Sequence, residues 1–118
     1  MARSIIALLI AATLSSGAEA VVASRNVLHG AIAYHRDSSG YGFSVDQRTA
    51  RAAQVEALRQ CGHQRCEVVV RLRNSCGAVA NGPKKFAAGK GAARQEAETK
   101  ALRSCGAGCD IVVWACTR

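Results

Sequence analysis

The chain has 118 residues, with 16 Lys or Arg against 8 Asp or Glu, a net charge of +8, and six cysteines. That length allows one small domain with a thin core, which usually needs covalent reinforcement. One tryptophan, two tyrosines and two phenylalanines are too few for a platform that stacks single-stranded nucleic acid, and neither a P-loop nor a dinucleotide fingerprint is present.

The first twenty residues, "MARSIIALLIAATLSSGAEA", read as a signal peptide. Arg3 supplies the basic start, Ile5 to Leu14 the apolar run, and Ala18-Glu19-Ala20 the small-x-small cleavage site. The apolar run is about half the ~20 residues that a bilayer-spanning helix needs. Cleavage after Ala20 would leave a lead-in over residues 21–27 and a single domain over 28–118, exported to the periplasm or beyond the cell. Losing Arg3 and Glu19 together keeps the net charge at +8.

The domain repeats itself. Gly30-Ala31-Ile32-Ala33 returns as Gly77-Ala78-Val79-Ala80. Ala53, Ala57, Leu58, Arg59, Cys61 and Gly62 return as Ala97, Ala101, Leu102, Arg103, Cys105 and Gly106. Cys66-Glu67-Val68-Val69-Val70 is answered by Cys109-Asp110-Ile111-Val112-Val113. Two copies, 30–73 and 77–116, are too few for a solenoid, so they predict one pseudo-symmetric domain.

Each copy reads as ββαβ. A short segment (Gly30–His35; Gly77–Asn81) and an aromatic-bearing one (Tyr41–Val45; Lys85–Ala88) flank turn residues and predict a hairpin. A helix follows. Thr49 is a fitting N-cap, and Ala50, Ala53, Ala57 and Leu58 share a face, as do Ala93, Ala97, Ala101 and Leu102. Small residues on that stripe allow close approach to a sheet. Gly62 and Gly106 suit a left-handed helix end. A β-branched strand closes each copy, Glu67–Arg73 and Asp110–Cys116. The fold class is therefore α+β: two pseudo-symmetric ββαβ units in one small antiparallel-sheet domain with two helices.

Cysteines in an oxidising compartment pair, and six allow fifteen complete pairings. The repeat places Cys61/Cys66 and Cys105/Cys109 at equivalent turns, which predicts Cys61–Cys66, Cys105–Cys109 and Cys76–Cys116. The rival scheme joins the copies through Cys61–Cys105 or Cys66–Cys109. A zinc site from Cys61, His63, Cys66 and Cys76 lacks a histidine in the second copy, where Ala107 stands. The spacings Cys-x4-Cys and Cys-x3-Cys are not the Cys-x-x-Cys of a thioredoxin-like redox site. Neither metal nor cofactor is expected.

"GAIAY", "GYGFS", the "TRAAQVEAL" helix, "CEVVVRLRNSCGAVA" and the closing "CDIVVWAC" resemble the exported bacterial proteins grouped as domain of unknown function 4189. The likeness covers roughly residues 28–116 and implies export and a small α+β module rather than a reaction. The second copy departs from the pattern: "KKFAAGKGAAR" has neither the glycine–aromatic strand nor a Ser/Thr cap.

Catalytic groupings are sparse. His35, Asp37 and Ser38 or Ser39 imitate a triad but share one turn signal, where Asp and Ser make turn hydrogen bonds. Glu67 and Asp110 are repeat-equivalent strand starters, the only candidate carboxylate pair. The expected function is a non-enzymatic binding module for a protein or anionic envelope surface, with no nucleic acid; the alternative is a small envelope hydrolase with its site between the repeats. Strand alternation places Val68, Val70 and Leu72, with Ile111, Val113 and Ala115, toward the helices. It places Arg71, Arg73 and Trp114 together on the other face, where tryptophan and arginine would form a binding hot spot.

Overall fold

The structure, a computed structural model, describes residues 27–118; the leader and nearly all of the lead-in lie outside them. The elements run β1 (His29–His35), β2 (Gly40–Gln47), α1 (Ala50–Cys61), β3 (Glu67–Arg73), β4 (Cys76–Asn81), β5 (Phe86–Gly91), α2 (Arg94–Cys105) and β6 (Asp110–Cys116). Each repeat is a ββαβ unit and builds one antiparallel three-stranded sheet, ordered β2-β1-β3 in the first and β5-β4-β6 in the second. No helix among the described residues is long and apolar enough to cross a membrane.

Side-chain size sorts the layers. Ala31 and Ala33 of β1 meet Ala53 and Ala57 of α1, and Ala78 and Ala80 of β4 meet Ala97 and Ala101 of α2. The larger side chains, Ile32, Tyr34, Val70, Leu72, Val79 and Val113, pack between the two sheets. The order is α1, first sheet, second sheet, α2. Glycine sets the helix–sheet spacing: a Cβ on Gly42 would collide with the Ala57 carbonyl, and one on Gly89 with that of Ala97.

The helix ends differ between copies. The Thr49 hydroxyl accepts the Ala52 N–H at 3.0 Å, and Gly62 closes α1 in the left-handed region with φ 69° and ψ 10°. In α2 the N-cap is Ala93, with no side-chain bond, and the Glu96 carboxylate accepts the Ala92 N–H at 3.1 Å instead. Gly106 has φ 92° and ψ −161°, a positive-φ conformation outside the left-handed helical well.

Simple alternation along the closing strands is corrected by the structure. Val68 and Ile111 do face the helices. Val70, Leu72, Val113 and Ala115 point into the space between the sheets. The pairing shifts between Ile32 and Ala33 against β3, and between Val79 and Ala80 against β6. One extra residue in each closing strand flips everything beyond it to the opposite face. Arg71 and Trp114 are thereby turned outward: Arg71 lies opposite Ala31 and Trp114 opposite Ala78, both on helix-facing sides.

Three disulfides complete the frame: Cys61–Cys66 and Cys105–Cys109 join each helix end to the next strand, and Cys76–Cys116 ties β4 to β6 across a separation of 40 residues. On loop-closure entropy the short bridges contribute about 2 kcal/mol each and the long one about 4 kcal/mol. Replacing Cys76 and Cys116 by serine is therefore expected to lower the denaturation free energy about twice as much as replacing either short-loop pair, read from urea midpoints. Gly42→Ala is expected to cost at least about 2 kcal/mol by the same measurement, because the methyl group meets helix backbone rather than a side chain that can swing away.

Candidate binding groove at an open sheet edge

The sheets are stacked so that β2 lies over β6 along one flank and β3 over β5 along the other. Each helix covers the first two strands of its own copy and only brushes the third. Arg71 and Arg73 on β3 thus occupy one flank, and Trp114 on β6 the other. The predicted face of Arg71, Arg73 and Trp114 is not assembled. Arg94, at the start of α2, instead lays its guanidinium 3.9 Å from the Trp114 ring centroid, anchored by the Glu98 carboxylate. Such a stack adds about 0.5–1 kcal/mol at an exposed site.

Along the β2/β6 flank runs an apolar groove of about 470 Å3, lined by Tyr41, Phe43 and Val45 above and by the strand from Val112 to Cys116 below. Four large apolar side chains stay open to solvent here: Tyr41 at 47%, Phe43 and Trp114 at 40%, and Val112 at 36%. Tyr41 and Phe43 are paired with Tyr34 and Ile32, whose side chains belong to the central core. Directly opposed residues share a face, so both rings point inward yet remain uncovered. β2 overhangs β6.

The groove is closed at one end. Thr117, 2% exposed, accepts the Asp46 N–H at 2.9 Å through its hydroxyl and donates to the Asp46 carboxylate at 3.0 Å, while the Arg118 N–H donates to the same carboxylate oxygen. Asp46 takes a positive φ of 55° to reach across.

Repeat symmetry supplies an internal comparison. Strand register matches Tyr41, Phe43 and Val45 with Phe86, Ala88 and Lys90, and Val112 and Trp114 with Val69 and Arg71. On the β3/β5 flank a cavity of about 290 Å3 is lined by Val69, Arg71, Ala88 and Lys90, and Phe86, the match of Tyr41, is likewise exposed. Where one flank presents Phe43 and Trp114, the other presents alanine and arginine.

The polar candidates cluster elsewhere. His35 and Ser38 are 2.7 Å apart, Nδ1 to Oγ, but Nδ1 also accepts the Ser38 N–H and Oγ accepts the Gly40 N–H. These are bonds that shape the β1–β2 turn. His35 and His63 stack with centroids 4.1 Å apart beside a pocket lined by Arg36, Asp37, Arg65 and Glu67. Burial pushes the Tyr34 hydroxyl pKa above its usual value, and the Arg36 charge opposes part of that rise. Glu67 and Asp110 start strands on opposite flanks and do not form a carboxylate pair. Cys61, Cys66 and Cys76 are all consumed in disulfides, so the zinc quartet has no thiolate.

A family model for the domain of unknown function DUF4189 matches residues 29–116. The chain belongs to this family. It is 42% identical over 88 residues to the uncharacterized protein Rv1813c of Mycobacterium tuberculosis, covering 75% of this chain and 59% of that protein. It is 37% identical over 89 residues to the protein Rv1269c of the same organism, covering 75% of this chain and 69% of that one. The NMR structure of Rv1813c superposes with a TM-score of 0.59 at 36% identity, covering 75% of this chain and 74% of that chain. This DUF4189 chain thus spans less than two thirds of the length of the first of these relatives. Its aromatic groove escaped the alternation pattern; the signal that would have found it is that "GYGFSV" and "IVVWAC" carry no charge.

The Asp46–Thr117 link can be tested directly. Thr117→Val keeps the shape but leaves the Asp46 N–H without its partner, and is expected to cost about 1–3 kcal/mol in urea unfolding, with amide exchange accelerating first at Asp46 and Arg118.

Proposed function

We propose that this protein is an exported, disulfide-reinforced binding module with no catalytic role, and that its partner is a protein held in the β2/β6 groove. The single observation behind this reading is the convergence of Tyr41, Phe43, Val112 and Trp114 on one open flank whose strands carry no charge from Gly40 to Val45 or from Ile111 to Cys116. Large apolar patches on small soluble domains mark interaction sites, and tryptophan and tyrosine dominate binding hot spots. The net charge of +8 favours an acidic partner through long-range attraction. Three disulfides suit an oxidising compartment, in keeping with the leader read at residues 1–20.

A photo-crosslinking residue at Phe43, expressed in the native host with its envelope intact, tests this. The expected result is a discrete protein adduct whose purified partner binds with at least tenfold lower affinity to Tyr41→Lys/Trp114→Lys. Arg71→Ala/Arg73→Ala, on the other flank, is expected to bind as the parent does. Both variants should melt within a few degrees of the parent, since all four side chains are exposed. Equal loss in both variants would assign the binding to general positive charge, and an adduct made of anionic envelope polymer rather than protein would replace the partner class.

A further inference from the structure

Proteins normally protect sheet edges with charged residues, prolines or covering elements, because an unpaired edge invites another strand. On the β3/β5 flank this rule is kept: β3 carries Glu67, Arg71 and Arg73, and β5 carries Lys90. On the β2/β6 flank it is broken twice. β2 has no charge from Gly40 to Val45, and β6 has none from Ile111 to Cys116. Over the outer face of β6, α2 supplies cover only for Ile111 and, through Arg94, for Trp114.

The backbone of β6 faces that open side in a definite pattern. The Thr117 N–H donates to the Ser75 carbonyl at 2.9 Å, and Cys116 is registered with Cys76, Ala115 with Gly77 and Trp114 with Ala78. In an antiparallel pair, hydrogen-bonded and non-hydrogen-bonded positions alternate. Ala115 and Val113 therefore bond to β4, and the N–H and carbonyl of Trp114 and Cys116 point to the open edge. Directly beside them, beneath overhanging β2, lies the space bounded by Tyr41, Phe43 and Val45. It is the place of a fourth strand in the second sheet.

We infer that β6 accepts an added strand from the partner, an extended segment of about five residues, roughly 17 Å at 3.4 Å per residue. This rests on the groove being the binding site. Side chains of an added strand alternate between two environments. Those turned inward meet Tyr41, Phe43 and Val45 and are apolar. Those turned outward lie alongside Trp114 and the Arg94 guanidinium, on a chain of net charge +8, and are acidic. A second copy of this chain fits poorly: its own β6 offers no carboxylate between Ile111 and Cys116, and two +8 chains repel.

Two displayed octapeptide libraries of identical composition separate the possibilities. One alternates apolar residues with Asp or Glu; the other spaces the apolar residues at i, i+3, i+4 and i+7. Selection on the oxidised protein is expected to enrich only the alternating library. Enriched peptides should shift the fluorescence of the sole tryptophan, Trp114, and protect the Trp114 and Cys116 amides from exchange. N-methylation of every second peptide amide, which keeps each side chain but removes the edge donors, should weaken binding at least 100-fold. Enrichment from both libraries, from neither, or only from the helical one overturns strand addition, as does affinity indifferent to N-methylation. In those cases Phe43 crosslinking that still depends on Tyr41 and Trp114 leaves the groove reading standing. Loss of that dependence fails the groove itself. Dimerisation in sedimentation that disappears in Trp114→Lys would make a second copy the occupant and overturn the acidic segment.

Discussion

Each repeat makes a three-stranded sheet with two apolar faces, and its own helix can bury only one of them. Everything else in the molecule follows from the face left over. Ile32, Val70 and Leu72 of the first sheet and Val79, Val113 and Ala115 of the second find cover only in one another. A single ββαβ unit would expose that whole surface to water, at about 25 cal/mol per Å2 of apolar area. Duplication within one chain solves the problem without an oligomer. It also fixes the stacking order, because the helices have to lie on the outside.

The two outer layers are thin for a physical reason. Alanine against alanine, with Gly42 and Gly89 beneath the helices, brings backbone close to backbone but buries little apolar area per residue. Cystines fill the ends of the same layers, since Cys61 and Cys66 belong to one outer cluster and Cys76 and Cys105 to the other. They act as apolar volume as well as crosslinks. The short bridges sit where each helix must reverse into a strand, and the long one joins the neighbouring strands β4 and β6 where they begin and end, with Cys76 buried.

Much of this was legible in the residues. The repeat revealed the ββαβ order, placed both helices, and favoured one symmetric set of cysteine pairs over a rival that joined the copies; the structure joins the symmetric set. The groove was hidden by one extra residue per closing strand. Strict alternation from Val68 puts Leu72 against the helix; the register slip at Ile32/Ala33 puts it between the sheets. A bulge leaves no mark in "EVVVRLR", where a run of valines is apolar on either reading. The same slip turns Arg71 and Trp114 outward. Their repeat equivalence could be read correctly while their distance could not, because symmetry mates in a face-to-face stack lie on opposite flanks. In the sequence, Tyr41 and Phe43 read only as part of the aromatic-bearing segment of a hairpin. Only the lateral offset of two sheets, a property of the packed pair, leaves them uncovered.

The two flanks are the same backbone arrangement carried twice, and this makes their difference informative. Packing requirements are shared: Val113 and Val70 are both buried, as are Ala78 and Ala31. What differs is confined to positions where the fold imposes no demand. Trp114 stands for Arg71, Phe43 for Ala88 and Val45 for Lys90, all at the rim of the stack. A solvated edge is served best by the second set, with cations that deter pairing and an alanine that exposes little apolar surface. The first set does the reverse at each position. Stability gives no reason for it, since a half-exposed aromatic ring gains only part of its burial energy and invites aggregation. An edge left uncharged against that tendency, on a domain whose other edge carries Arg71, Arg73 and Lys90, is the contrast on which the proposed docking surface rests.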